Sequence, residues 1–246
     1  MACARAGAGD EMIRAVLFDL DGTLLHVDTA QFVEAYVRLL ARSFAARIPS
    51  DLFVRHLLVA TQAMMADRDP SRTNREVFAA SFYPPLGFTE EEMAPHLAEF
   101  YAREFPALRA LTRPDPLARR AVGAALERGL DAVIATQPIF PETAIRQRMA
   151  WAGVADLPFA HVTTYETAHF CKPHPEYFLE IAAVIGRSPE ECLMAGNDAT
   201  HDAAAVRTGM QAYLVTDHLI GRTASPGGVH HRGTLADLAK FLTVVT

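Results

Sequence analysis

The chain has 246 residues, 50% hydrophobic and 21% charged, with a formal net charge of -6. That length suits one large domain or two small ones around a sizeable core, and the acidic balance excludes an electrostatic footprint for nucleic acid or an anionic membrane surface. Three widely spaced cysteines, Cys3, Cys171 and Cys192, predict neither a metal site nor a disulfide framework and fit a reducing, cytoplasmic compartment, while the lack of a run of about 18 apolar residues predicts no membrane span.

Residues 1–11 are rich in Ala and Gly without an apolar signal-peptide core, and are expected to form a flexible extension. The first strand, predicted over 13–18, runs into Asp19-Leu20-Asp21-Gly22-Thr23. Residues i and i+2 of a strand point the same way, so Asp19 and Asp21 gather two negative groups, which is costly without a positive partner. Two readings stand at this point: a divalent-cation site with a carboxylate left for chemistry, or a strand closing in an Asp-Gly turn.

More than a hundred residues then separate the first strand from the second. Amphipathic helices are predicted over 29–47, 51–66, 72–82 and 90–103, before a linker, Arg113-Pro114-Asp115-Pro116. The polar stretch 67–75 carries Arg68, Arg72 and Arg75, which belong either to an exposed interhelical loop or to a reader of an anionic group. The predicted organisation is an α/β core over 12–26 and 113–246, with a helical cap inserted over 27–112.

Beyond the linker, strands predicted over 131–135, 159–163, 192–195 and 212–215 alternate with helices over 116–128, 141–151, 175–185, 199–208 and 235–242, four of which stop at or just before a glycine. This alternation predicts a parallel sheet covered on both faces. Such sheets bind ligands beyond the carboxyl ends of their strands, where the inserted helices could exclude water. Thr136 follows the second strand, Lys172 the third, and Asn197, Asp198 and Asp202 the fourth. Each alone has an ordinary explanation as a turn, a surface charge or a helix cap. Their placement at one sheet edge is the signal.

In these motifs (Asp19-Leu20-Asp21-Gly22-Thr23, Thr136, Lys172-Pro173, and Gly196-Asn197-Asp198 with Asp202) the chain resembles the phosphatase branch of the haloacid dehalogenase superfamily, from about Ile13 to the C-terminus. The resemblance implies a Rossmann-like parallel sheet with an all-helical cap. It also implies a Mg²⁺-dependent phosphatase that hydrolyses a small-molecule phosphate monoester through an aspartyl-phosphate. Carried over to this sequence, Asp19 is nucleophile and metal ligand. Asp21 is general acid and base and lends its backbone carbonyl to the metal. Asp198 supplies a second metal carboxylate, with Asn197 a further ligand or an orienting group. Thr136 and Lys172 hold the phosphoryl oxygens, with Gln137 beside them at the substrate. Asp202 anchors Lys172 or a metal-bound water, and Thr23 orients Asp21.

Two positions depart from the pattern: Gln137 stands where many relatives carry Asn, and Asn197-Asp198 places its acid one residue later than Gly-Asp. Asp21 separates the chain from true dehalogenases, which need no proton donor. A phosphomutase of the same superfamily and a phospho-accepting receiver module are the alternatives. His230-His231 is expected in a solvated loop, His169, His174 and His201 lack zinc spacing, Cys171 is a candidate for thiol reagents without a catalytic role, and Met64-Met65 fits helix packing.

Overall fold

The computed structural model describes residues 12–221 and 229–245; the expected extension over 1–11, Cys3 included, lies outside them. Six strands form one sheet: β1 (Ala15–Phe18), β4 (Asp131–Ile134), β5 (His161–Val162), β6 (Cys192–Gly196), β7 (Gln211–Val215) and β8 (His231–Gly233). Their order is β5-β4-β1-β6-β7-β8, and every adjacent pair is parallel.

The central strand β1 is buried at all four positions, as a parallel strand covered on both faces must be. Its side chains alternate between two cores. Val16 and Phe18 join Ala121, Ala125 and Leu238, from α5 (Pro116–Glu127) and α8 (Leu235–Phe241). Ala15 and Leu17 join Tyr177, Phe178 and Ile181 of α7 (Pro175–Val184). One helix pair therefore covers one face and α7 the other, leaving the carboxyl edge of the sheet open.

Between β1 and β4 lie α1 (Thr29–Ser43), α2 (Ser50–Ala66), α3 (Asn74–Leu86), α4 (Glu90–Arg103) and a 3-10 helix, Phe105–Leu111. Thr73 and Thr89 start α3 and α4 with capping boxes closed by Glu76 and Glu92. A two-stranded antiparallel pair, β2 (His26–Val27) with β3 (Thr112–Arg113), joins the ends of this helical excursion. Strands of two residues carry no periodicity, so the sequence reading missed both. Helix α6 (Glu142–Trp151) follows β4.

Three expectations need correction. The helix over 199–208 is a turn followed by a 3-10 helix, Ala203–Thr208. Asp198 Oδ1 accepts the backbone N–H groups of Thr200 and His201, at 2.7 and 2.9 Å, which holds the chain in a turn where helix was expected. His231 lies in a sixth strand, paired through Tyr213, and not in a loop; its three-residue strand is too short and polar to announce itself. Helix α3 continues beyond residue 82 through Pro84 and Pro85 to end at Gly87, whose φ of 76° is left-handed.

Candidate active site

The three central strands deliver the site. Asp19 follows β1, and its N–H extends the ladder to the Ala195 carbonyl of β6 at 2.9 Å. Thr136 follows β4, and its carbonyl accepts from the Tyr177 hydroxyl at 2.7 Å and from Thr163 Oγ1 at 2.9 Å. Lys172 precedes α7 and is clamped by Gln137, whose Oε1 accepts the Lys172 N–H at 2.9 Å while its Nε2 donates to the Lys172 carbonyl at 3.1 Å. Gln137, expected beside the substrate, lines the catalytic pocket with its amide engaged in placing the lysine.

The Lys172 ammonium donates to Asp19 Oδ1 at 2.9 Å and to Asp202 Oδ1 at 2.6 Å, and all three residues are buried. Asp202 is the anchor of Lys172. Its other oxygen accepts the Asp198 N–H at 2.8 Å. Gly196 makes this approach possible, because a Cβ there would lie 2.2 Å from Asp202 Cγ. Gly22, at φ +84°, passes equally close to Asn197, whose Nδ2 would lie 2.3 Å from a Cβ.

The expected Thr23–Asp21 contact is absent. Thr23 Oγ1 lies 3.3 Å from Asp19 Oδ2 and 3.2 Å from Asn197 Oδ1. Asp21 is instead held by Arg148, whose Nη1 donates to Asp21 Oδ2. Arg148 is 1% exposed. Its guanidinium lies 4.4 Å from the Phe140 ring centroid, a cation–π contact, and its Nε is 3.4 Å from the Ala144 carbonyl. Asp21 Oδ1 and Arg148 Nη2 are buried without a protein partner. The sequence reading missed Arg148. The available signal was a cation within the apolar stripe Ala144, Ile145, Met149 and Trp151, all buried on one side of α6.

Asp19, Asp21, Asp198 and Asp202 line one cavity of about 220 Å³ together with Lys172 and Arg148. Burial pushes the Asp19 carboxyl above its ordinary range, against the pull of Lys172. Burial works against the Lys172 ammonium too, but Asp19 and Asp202 together hold its pKa above that of an ordinary lysine. Asp198 is half-buried; burial acts to raise it, yet hydrogen bonds from the His201 ring, the His201 N–H and the Thr200 N–H hold it at about 2. The bond to Asp198 in turn raises His201.

Among the described residues no three His, Cys, Asp or Glu side chains form a ready metal-binding group. The charges nevertheless fit a divalent cation. Four carboxylates, two permanent cations and the His201 ring line one cavity, so carboxylates outnumber the permanent cations there. An all-oxygen donor set of Asp19, Asp198 and a backbone carbonyl is the kind Mg²⁺ prefers.

Most of the other expected groups lie apart from the catalytic pocket. Arg68 pairs with Glu176 and Arg72 with Asp67, while Arg75 pairs with Glu90 at 2.7 Å in the wall of a second cavity. His169 pairs with Glu180 and His174 with the Met65 carbonyl, and His201 alone lines the catalytic pocket. Met64 is fully buried among Val77 and Cys171.

A sequence model of the haloacid dehalogenase-like hydrolases matches residues 13–208, spanning every motif of this site. The chain belongs to this family. A Bacillus subtilis relative, YhcW, named as a candidate phosphatase, is 21% identical over 232 residues, covering 92% of this chain and 94% of its own length. In fold, the chain is similar to a haloacid dehalogenase-type phosphatase from Thermococcus onnurineus, with a TM-score of 0.58 at 19% identity, covering 94% of this chain and 98% of that one. A candidate beta-phosphoglucomutase from Thermotoga maritima gives a TM-score of 0.56 at 20% identity with the same coverage. The protein is thus a hydrolase of this superfamily with its Rossmann-like parallel sheet.

Proposed function

We propose that this hydrolase is a Mg²⁺-dependent phosphatase, acting on a small-molecule phosphate monoester through an aspartyl-phosphate on Asp19. The supporting observation is that two carboxylates with different surroundings share one pocket. Asp19 lies against the Lys172 ammonium, whereas Asp21 is pinned through Oδ2 by Arg148 and keeps Oδ1 without a protein partner.

A carboxylate nucleophile needs no base. Asp19 bonds to phosphorus as the bond from phosphorus to the alcohol oxygen breaks, and Asp21 gives that oxygen a proton. Asp21 then takes a proton from water as the water oxygen bonds to phosphorus and the Asp19–phosphorus bond breaks. Lys172 has three N–H donors, two of them committed to Asp19 and Asp202; the third, with the Thr136 hydroxyl, serves the phosphoryl oxygens. Asp19, Asp198 and the Asp21 backbone carbonyl would hold Mg²⁺, which when bound supplies charge neutralisation on the transferring group. The helical segment over 27–112 serves as the cap that keeps water out. The two buried free thiols, Cys171 and Cys192, fit action in a reducing cytoplasm.

A panel of phosphate esters, assayed for inorganic phosphate with Mg²⁺ and with a chelator, tests this. Release that requires Mg²⁺ and is lost in Asp19→Asn is expected. Transfer to a sugar that depends on a bisphosphate would make the enzyme a mutase, a phosphoprotein stable for many minutes would make it a receiver, and silence across the panel with metal binding intact would remove the catalytic reading.

A further inference from the structure

The catalytic pocket adjoins a second cavity, with Val33, Ile139 and Phe140 in the lining of both. One face of α1 runs along both: Thr29, Phe32 and Val33 line the catalytic pocket, and Val33, Tyr36, Val37 and Leu40 line a cavity of about 270 Å³ among the helices. These residues recur at three- and four-residue spacing, the mark of a single helix face. The segment after β4 forms the opposite rail, with Ile139 and Phe140 shared by both cavities. From Thr29 to Leu40 the α1 rail measures roughly 16 Å at helical rise. The walls beyond Phe140 are aromatic and aliphatic, Phe53, Leu57, Phe78 and Phe82 among them.

Several polar groups of this second cavity are already satisfied. The Tyr36 and Tyr101 hydroxyls, both buried, bond each other at 2.8 Å. Thr61 donates to the Leu57 carbonyl at 2.8 Å, and Arg75 to Glu90 at 2.7 Å. The Tyr83, Thr143 and Tyr165 hydroxyls also line the cavity, so a polyhydroxylated leaving group placed here would find partners at few points and lose its water against apolar wall elsewhere, a costly exchange. An apolar chain would lose nothing and bury its surface.

We propose that the substrate is the phosphate ester of an elongated apolar alcohol, its phosphate at Asp19 and its alkyl or aryl chain laid along the α1 face past Phe140 into the second cavity. This deepens the phosphatase reading and rests on it for the phosphate end.

The test uses non-hydrolysable n-alkyl phosphonates, from methyl to octyl, titrated by calorimetry with Mg²⁺ present, alongside hydrolysis of the matching alkyl phosphates. Affinity is expected to rise roughly three- to fourfold per methylene until the cavity is full, with an increasingly negative heat capacity of binding. Val37→Trp and Thr61→Trp, two half-buried wall positions on different helices, are expected to flatten the octyl-to-methyl affinity ratio toward one; either variant suffices should the other fail to fold. Affinity independent of chain length in the wild type, or a ratio unmoved by both variants, overturns the proposal. Length-dependent binding without hydrolysis of any ester would uphold the apolar groove and refute the phosphatase reading.

Discussion

Arg148, buried in α6, holds the Asp21 carboxylate through Nη1 while its guanidinium lies against the Phe140 ring. The pair spans 127 positions in sequence and ties the loop after β1 to the helix after β4. It leaves one Asp21 oxygen for the reacting groups and fixes where that oxygen sits. In the proposed chemistry Arg148 is a positioning residue, acting through Asp21.

Removing one partner of a buried ion pair strands the other, whereas removing both does not. Asp21→Asn or Arg148→Met is expected to lower unfolding stability by about 2–4 kcal/mol, and the double variant to recover more than half of that loss. Asp19→Asn, which leaves Lys172 still paired with Asp202, should cost under about 1 kcal/mol. Urea denaturation of the four variants checks the order.

The same pair affects turnover unevenly. A poor leaving group needs the proton from Asp21; a good one does not. Arg148→Met should therefore slow phenyl phosphate roughly tenfold more than p-nitrophenyl phosphate, with Arg148→Lys partly restoring the balance. An equal loss on both esters would assign Arg148 to the fold alone.

Gly196 gives Asp202 its approach to Lys172, since any Cβ there would lie 2.2 Å from Asp202 Cγ. Gly196→Ala is expected to displace Asp202 and loosen Lys172, lowering kcat by roughly a hundredfold if the ammonium stabilises developing charge. Steady-state kinetics beside a thermal melt would separate this from general unfolding.

Burial pushes the Cys171 thiol up to about 12, against a weaker opposing contact from Asn74, and Cys192 likewise to about 12. Because the thiolate is the reactive form, both stay protonated at mildly alkaline pH and become reactive only as pH climbs toward those values. Alkylation by iodoacetamide in the folded protein should be at least roughly a hundredfold slower than in denaturant, read by peptide mass spectrometry so that Cys3 is resolved separately. Cys171, a candidate for thiol reagents by its sequence position, is fully buried in the structure.

Much of the site was legible in the sequence because strand ends are: an apolar run stopping at Asp19, Thr136 or Asn197 marks the sheet edge, and the parallel topology brings those edges together. Lys172 and Asp202 were found by the same logic. The side-chain partners were less legible. The resemblance pairs Thr23 with Asp21, its near neighbour, yet its hydroxyl lies close to Asp19 and to Asn197, 174 positions away. Arg148 lies on a helix whose role as a wall of the site depends on packing, not on spacing from any motif. The turn over 199–202 replaced helix because Asp198 and Asp202 bond the local backbone, a competition that helix periodicity does not register.

The proposed chemistry requires that Asp19 becomes phosphorylated and that Asp21 then activates water. The most direct test is rapid mixing of Asp21→Asn, in Mg²⁺ and below its melting temperature, with p-nitrophenyl phosphate. This ester's leaving group departs without an acid, so a burst of one nitrophenolate per enzyme is expected, followed by near-arrest, with the phosphoryl group mapped to the Asp19 peptide after acid quench. Steady turnover without a burst, or a phosphoryl group on any other residue, would contradict it.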